Sequence, residues 1–338
     1  MTIARNGSWE VLDYTPLASL IERTDNALET MGLFEAFYGT TTSAEVERMT
    51  LGSDVIKAQV RSGERNFAGT ETSQIENFRI PFFPLDKLAK ASEIQDFREY
   101  GTSDTPASVE TRVERNLVRI NKSHDFLRRA AMYECLKGNT YANGLAGSQF
   151  IKNYATVFGV TETSFSVDFT VATSDPALKL EKEGREVIIA KAQDDAGSYS
   201  VVVLCGSGYF NSTVNHPLVQ AAYDQYASSQ EPLRQRLGGD VVGRVFDHKG
   251  IIYVEDISGQ IARGDAYMFP KGIMDMFQIH YAPANTLEHA NTVAEEMYIF
   301  LETNRRAATI ETETSFVCVN TRAELVIKIT GNTLLPDA

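Results

Sequence analysis

The chain has 338 residues, 43% of them hydrophobic and 23% charged, and its formal net charge is −13. These values exclude a wholly disordered chain and are typical of a globular protein with one large core or two modest ones. The acidic excess also opposes wrapping on nucleic-acid phosphates, which requires clustered cations. We interpret Arg128 and Arg129 as a solvated helix face, and Arg305 and Arg306 as a loop.

Three cysteines, Cys135, Cys205 and Cys318, are far apart and odd in number. They favour a reducing compartment and three small buried side chains over a disulfide framework. We expect neither a signal peptide nor a membrane span, because the N terminus lacks the charged and apolar regions of a leader and no run of 18 apolar residues occurs.

Residues 1–45 contain only short amphipathic pieces and predict an N-terminal arm, with the single tryptophan, Trp9, as its anchor on a neighbouring surface. Residues 46–80 contain two strand-like runs on either side of the turn-rich segment 61–66, which predicts a long β-hairpin. Because a two-stranded ribbon alone is marginally stable in water, we expect this hairpin to lie against another chain.

The clearest element is a helix over 106–137, with Pro106 in its first turn and Gly138 at its left-handed exit. Apolar residues recur at steps of three or four and form one stripe that includes His124. We interpret His124 as a core histidine bonded to a neighbour, because no second His or Cys lies one turn away to form a metal site. At about 48 Å, this helix is longer than a compact core needs, so we expect it to extend beyond the core as a long structural support.

The remaining chain mixes strands and helices. Alternation at 148–175 is typical of strands. We predict the following further elements: a helix at 186–194, a buried strand at 201–206, a helix at 216–228, a hairpin turning at 247–250, strands at 265–272 and 276–284, and a second hairpin turning at 320–322.

The strand VVVLCG and the Gly-Ser-Gly turn that follows it resemble a phosphate-binding loop. Gly206 and Gly208 match the first two glycines of the dinucleotide fingerprint G-x-G-x-x-G, but Asn211 replaces the third. We expect the helix to begin only near His216, with Asn215 as its N-cap. That start is too far from the turn to direct a helix dipole at a phosphate, so the spacing argues against a nucleotide site.

The sequence contains no Walker loop, nucleophile elbow or H-E-x-x-H motif, and its acid pairs are adjacent rather than convergent. We therefore expect no catalytic residues, no cofactor, no metal and no enzyme activity. The predicted arm, the projecting hairpin and the long helix at 106–137 each expose surface that only a neighbouring chain can cover. This pattern indicates a chain built to assemble.

Several motifs occur in a fixed order along most of residues 45–330. They are the hairpin with IPFFPLDKL, the helix ending in AAMYECLKGNTY, F-[small]-x-x-x-x-H-P at 210–217, G-x-x-[YF] at 250–253, A-x-x-F-P-x-G at 266–272 and F-x-x-x-[YF]-A-P-A at 277–284. In this order they resemble the major capsid proteins of tailed phages, specifically the lambda-type capsid protein E family.

This resemblance implies the Hong Kong 97-type capsid fold, an α+β fold with an arm, an extended loop, a peripheral domain and an axial domain. The implied boundaries are 1–45 for the N-terminal arm, 46–80 for the extended loop, 81–182 for the first part of the peripheral domain with its spine helix at 106–137, 183–300 for the axial domain, and 301–338 for the C-terminal hairpin of the peripheral domain.

The resemblance also implies a major capsid protein that assembles into hexamers and pentamers of an icosahedral shell around double-stranded DNA, through a procapsid that expands. Portal and scaffold proteins are implied partners, and decoration proteins are common in the family. The implied location is the virion, after assembly in the host bacterial cytoplasm, with no membrane and no sequence-specific DNA binding. Trp9, Arg61, Glu64 and Arg65 are the predicted contacts between subunits.

Two other classes stay open at this point. Another phage structural or tail subunit would also need an arm and a hairpin. A dinucleotide-dependent enzyme depends on the stretch 201–208 alone.

Overall fold

The computed structural model describes residues 11–13, 27–50, 72–90, 109–145, 149–192, 199–226, 243–303 and 307–335. The strands are β1 (Val11–Asp13), β2 (Glu35–Tyr38), β3 (Ser43–Thr50), β4 (Thr72–Arg79), β5 (Phe82–Lys90), β6 (Thr163–Asp168), β7 (Ser200–Cys205), β8 (Val245–His248), β9 (Ile251–Glu255), β10 (Asp265–Lys271), β11 (Phe277–Tyr281), β12 (Tyr298–Thr303), β13 (Ala307–Asn320) and β14 (Ile327–Thr333). The α-helices are α1 (Ala27–Thr30), α2 (Val109–Leu136), α3 (Tyr154–Phe158), α4 (Pro176–Leu180), α5 (Glu186–Ala192), α6 (Ser207–Val214) and α7 (Pro217–Tyr226), and a π-helical turn, Glu181–Arg185, joins α4 to α5.

Two six-stranded sheets organise these elements. Sheet I has the order β1-β12-β13-β11-β2, and β5 also pairs with β13. Sheet II has the order β6-β14-β10-β7-β9-β8, while β3 and β4 form a separate two-stranded ribbon. The predicted strands at 201–206, 265–272 and 276–284 and the hairpin at 247–250 are confirmed, since they correspond to β7, β10, β11 and the β8–β9 pair.

The predicted C-terminal hairpin is wrong. β13 and β14 alternate as expected, but β13 pairs within sheet I and β14 within sheet II. The turn between them is held to a different loop, because the Thr321 N–H donates to the Met276 carbonyl at 2.9 Å. A 3-10 turn, Ala323–Leu325, then carries the chain into the other sheet. This connection joins the two sheets rather than folding one strand back on the other.

The long helix α2 has 28 described residues and is about 42 Å long. Its first half packs on sheet I, where Ile120 lies in one buried cluster with Ile299 and Ile310. Its last turns enter the main core between the sheets, which contains Tyr133 from α2. Gly138 follows with a φ of 93°, so the predicted left-handed exit is confirmed.

The interpretation of His124 as a hydrogen-bonded core residue is confirmed. The Thr312 hydroxyl donates to the Leu85 carbonyl at 2.5 Å, so its oxygen accepts from the His124 Nε2–H at 3.0 Å. All three cysteines are buried and free, as predicted. Burial raises the pKa of the Cys135 thiol to about 12.

The strand predicted at the start of 148–175 is wrong, because a short helix, α3, lies there. The Asn153 side chain accepts from the Thr156 N–H at 3.0 Å, and Gly159 ends the helix with a φ of 64°. These local caps override the alternating pattern, and within the described residues 149–175 only β6 is a strand. Among the described ranges, no helix has the length and apolar character needed to cross a membrane.

Candidate assembly surfaces

The four predicted contact residues, Trp9, Arg61, Glu64 and Arg65, lie outside the described residues, so their role stays a prediction. The strands that lead to the predicted loop tip are described. β3 and β4 are antiparallel along their whole length, with Ser43 opposite Arg79 and Thr50 opposite Thr72. The predicted hairpin is therefore confirmed over these strands.

One face of the hairpin is packed on its own subunit. Val46 and Phe78 are buried, and the Phe78 ring lies 6.2 Å from those of Tyr154 and Phe158. On the opposite face, Ile75 is 63% exposed. The hairpin is thus anchored by one side and presents an apolar side chain on the other.

Charged and polar contacts fix both strands at the junction of the two sheets. Arg48 on β3 pairs with Glu324 at 2.8 Å, and Arg322 donates to the same carboxylate oxygen at 3.0 Å. On β4, the Asn77 carbonyl accepts from Lys152 Nζ at 2.6 Å. The Arg48–Glu324 pair therefore holds β3 beside the turn where the chain crosses from sheet I to sheet II.

The solvated helix face predicted for Arg128 is wrong. Arg128 is buried, and its guanidinium contacts Glu29 of α1, Asp125 of α2 at 3.0 Å and Glu296 at 3.7 Å. Burial alone would lower the pKa of Arg128, but the surrounding carboxylates, above all Glu29, raise it overall. This cluster ties the segment predicted as the arm to the long helix and to the loop before β12.

A sequence signal for this burial existed. Arg128 lies four residues after His124, so it occupies the buried side of the helix rather than the solvent side. Asp125, three residues before Arg128, supplies a carboxylate from the same helix. The remaining carboxylates come from distant segments, which no helical spacing could reveal.

A second joint connects α2 to sheet II and was missed in the sequence. The Tyr133 hydroxyl donates to Asp256 Oδ1 at 2.8 Å, and Asp256 also accepts from the N–H groups of Ser258 at 3.0 Å and Ile261 at 3.1 Å. Burial and the Asp256 charge raise the pKa of Tyr133. Because Asp256 follows β9, this joint holds the last turns of α2 against the end of a sheet II strand.

The helix predicted to begin near His216 is confirmed as α7, which begins at Pro217, but the sequence analysis missed a further helix between the Gly-Ser-Gly turn and α7. Helix α6 begins at Ser207, directly after Gly206, and Asn215 is its C-cap rather than the N-cap of the next helix. His216 is fully buried, with its Nε2 atom 3.3 Å from the Val171 carbonyl. Spacing therefore no longer argues against a phosphate site at this turn.

The packing around the turn argues against a phosphate site instead. The N–H of Tyr209 donates to the Arg263 carbonyl, and that of Gly206 donates to the Asp265 carbonyl, both at 2.9 Å. A Cβ atom at Gly206 would lie only 2.2 Å from the Ala262 carbonyl oxygen. The start of α6 is thus covered by the chain itself, in the space that a phosphate would need.

The burial of His124 predicts a pH dependence of stability. Burial lowers the pKa of His124 to about 4, although Asp125 raises and Arg128 lowers it as well. Because the unfolded pKa is about 6.5, the unfolded chain binds the proton first as pH falls. This stability is therefore fully present above about pH 6.5 and is lost towards pH 4, by up to about 1.4 kcal/mol per pH unit.

Urea unfolding of the unassembled subunit between pH 7 and pH 5 measures this effect. His124→Gln should lower the slope of the free energy of unfolding against pH by up to about 1.4 kcal/mol per pH unit, which corresponds to one proton, because it removes the titrating ring. Burial also lowers the pKa of His280 to about 4, so the His124→Gln variant should keep the pH dependence of stability that His280 contributes. An unchanged slope in His124→Gln would contradict the prediction.

Comparison with known proteins identifies the family. Residues 16–330 match the family described as phage major capsid protein E. The chain belongs to this family. The major capsid protein of Pseudomonas phage KPP10 is 28% identical over 345 residues, covering 95% of this chain and 96% of that protein. This capsid protein is therefore a structural protein of the phage virion.

Solved structures confirm the α+β capsid fold that the resemblance implied. The capsid asymmetric unit of cyanophage Pam1 has a TM-score of 0.55 at 13% identity and covers 98% of this chain and 96% of that chain. The capsid of Ralstonia phage GP4 has a TM-score of 0.52 at 12% identity, covering 94% and 89%. At such identities, these similarities establish the fold.

Proposed function

We propose that this capsid protein assembles with itself into hexamers and pentamers of an icosahedral shell that encloses double-stranded phage DNA. The β3–β4 hairpin is the observation that carries the proposal. Its base is anchored by Val46, Phe78 and the Arg48–Glu324 pair, while Ile75 is exposed on its other face. Such a hairpin can pack its exposed face on an adjacent subunit. Many modest interfaces of this kind, repeated around closed symmetry, together stabilise a shell.

The division into peripheral and axial domains is part of this proposal. Sheet II and helices α4–α7 would lie around the capsomer centre, and sheet I with α2 would form the periphery. Sheet membership departs from the predicted boundaries at 183 and 300, since β6 and β14 belong to sheet II while β11 and β12 belong to sheet I. The proposed axial unit therefore includes β6 and β14.

The proposed maturation is an expansion of a procapsid by rigid-body and hinge movements. The Arg128 cluster and the Tyr133–Asp256 bond lie where α2 meets other segments, so they are suited to control such movements. Portal and scaffold proteins are proposed partners, and a decoration protein is a further candidate. The proposed assembly takes place in the host bacterial cytoplasm, and the proposed role is structural rather than enzymatic.

Electron microscopy of the purified, self-assembled protein tests this function. Closed shells are the expected result. Tubes would contradict it in favour of a tail component. Uniform small oligomers with a nucleotide-dependent thermal shift would instead indicate a nucleotide-binding enzyme.

Reversing the charges predicted at the loop tip should reduce the yield of particles. The triple variant Arg61→Glu, Glu64→Lys, Arg65→Glu changes the net charge by the same amount as Lys182→Glu, which alters an exposed lysine and serves as control. We expect the triple variant to keep the circular dichroism spectrum and thermal unfolding of the folded subunit while forming fewer shells. Normal particle yield would contradict the assignment of these residues to a subunit contact.

A further inference from the structure

The outward side of α2 carries cations at regular spacing. One stripe on this side follows steps of three and four residues, which lie above one another on a helix. Its members are Arg112, Arg115, Arg119, Lys122, Phe126 and Arg129. The stripe lies opposite the buried residues Ile120 and His124 and includes no carboxylate.

The middle of this stripe is open to solvent. Arg115, Arg119 and Lys122 are exposed, and Phe126 is 58% exposed. Within the part of the chain that the structure describes, Arg119 and Lys122 form no ion pair. The nearby Asp125 is instead directed to the buried Arg128, at 3.0 Å. In a chain of net charge −13, this is a local concentration of positive charge.

The face of sheet I that points away from α2 is acidic. Ile310 packs in a cluster with Ile120 of α2, so Glu311, the next residue of β13, faces away from the helix. Asp86 of β5 is its cross-strand partner and shares that face. Burial, followed by the charges of Asp86, Glu302 and Glu313, raises the pKa of Glu311. Sheet I therefore separates a basic helix surface from an acidic sheet surface.

We propose that the outward stripe of α2 contacts the phosphate backbone of the enclosed double-stranded DNA. This inference rests on the proposed function, which supplies the DNA. Arg115 and Lys122 are about 10 Å apart along the helix axis, roughly the rise of three base pairs, so several phosphates lie within reach of one stripe. Contacts of Arg and Lys to phosphate carry no sequence information, which suits a container.

The acidic excess of the whole chain and the basic stripe then have different effects. The average charge repels DNA and opposes wrapping, as the composition indicates. The stripe gives each subunit a short, salt-sensitive contact that orients its basic side towards the DNA. An acidic segment of another protein is the competing occupant, and Phe126 would then supply an apolar contact that phosphates do not need.

Binding of a fluorescent 30-base-pair duplex to the unassembled, full-length subunit at 50 to 200 mM salt tests the proposal. The double variant Arg119→Gln, Lys122→Gln should lower the slope of log affinity against log salt by about 2, close to one unit for each cation. The control Lys90→Gln, Lys182→Gln removes the same charge from exposed lysines outside the helix and should leave the slope unchanged. Phe126→Ser should leave the affinity within about twofold, because phosphate contacts dominate such binding.

Equal slopes in the wild type and the Arg119, Lys122 variant would overturn the proposal, as would the absence of duplex binding. A loss of affinity in Phe126→Ser as large as in the double variant would also overturn it and favour a protein partner. Electron microscopy of the same variants separates this result from failure of the proposed function. Closed shells with unchanged salt slopes reject the DNA contact alone, whereas absent shells in the wild type reject the assembly role.

Discussion

Replacing Arg128 with alanine is expected to lower the free energy of unfolding of the subunit by about 3–5 kcal/mol. The substitution leaves the carboxylates of Glu29 and Asp125 in a largely buried position without their shared cation. Removing one member of a buried ionic cluster costs far more than the cluster contributes as a whole, because the remaining charges stay poorly solvated. The segment with α1 should detach first, since Glu29 is its charged contact to the helix.

Urea unfolding of the unassembled subunit measures this loss, with Arg119→Ala as the matched control. Arg119 lies on the same helix but is exposed, so its removal should change stability by no more than about 0.5 kcal/mol. Hydrogen exchange should show faster exchange in α1 of the Arg128 variant. A loss below about 1 kcal/mol for Arg128→Ala would show that the cluster is solvated in solution.

Replacing Gly206 with alanine is expected to destabilise the subunit by about 3 kcal/mol or more. The new Cβ would lie 2.2 Å from the Ala262 carbonyl oxygen and 2.9 Å from that of Arg263. Both neighbours are backbone atoms, so relief requires a shift of the loop that bonds to the Tyr209 N–H. The glycine is thus required for close packing of two segments of this chain.

Gly264→Ala is the matched control, because a Cβ there would meet its nearest atom, the Gly331 carbonyl oxygen, at 3.6 Å. That distance is ordinary van der Waals contact, and we expect a change below about 1 kcal/mol. Thermal and urea unfolding of both variants give the comparison. Equal stability of the two variants would contradict the close approach at Gly206.

Elements whose cause is local could be predicted from the sequence. The spacing of apolar residues and the exit at Gly138 predicted α2, and the buried run VVVLCG predicted β7, because periodicity and terminal residues act within a few positions. The hairpin strands β3 and β4 were predicted from two strand-like runs on either side of a turn-rich segment, which are also local signals. The family was also accessible, since it depends on the order of short motifs along one chain.

Contacts between distant segments could not be predicted. The burial of Arg128 depends on Glu29, which lies 99 positions earlier in the chain, and on Glu296, which lies still farther away after it. The covering of Gly206 depends on Ala262. Helical spacing places Arg128 on the inner side but cannot show which carboxylates meet it there.

By itself, the sequence determined the local elements, the absence of familiar catalytic motifs and membership of a capsid family. Only the tertiary structure decided that β13 and β14 separate into two sheets, that α6 begins directly after Gly206, and which carboxylates surround the buried Arg128. The physical reason is the same in each case. Alternation and helical periodicity specify which side of an element is apolar, whereas the partner that covers that side is chosen by packing across the whole chain.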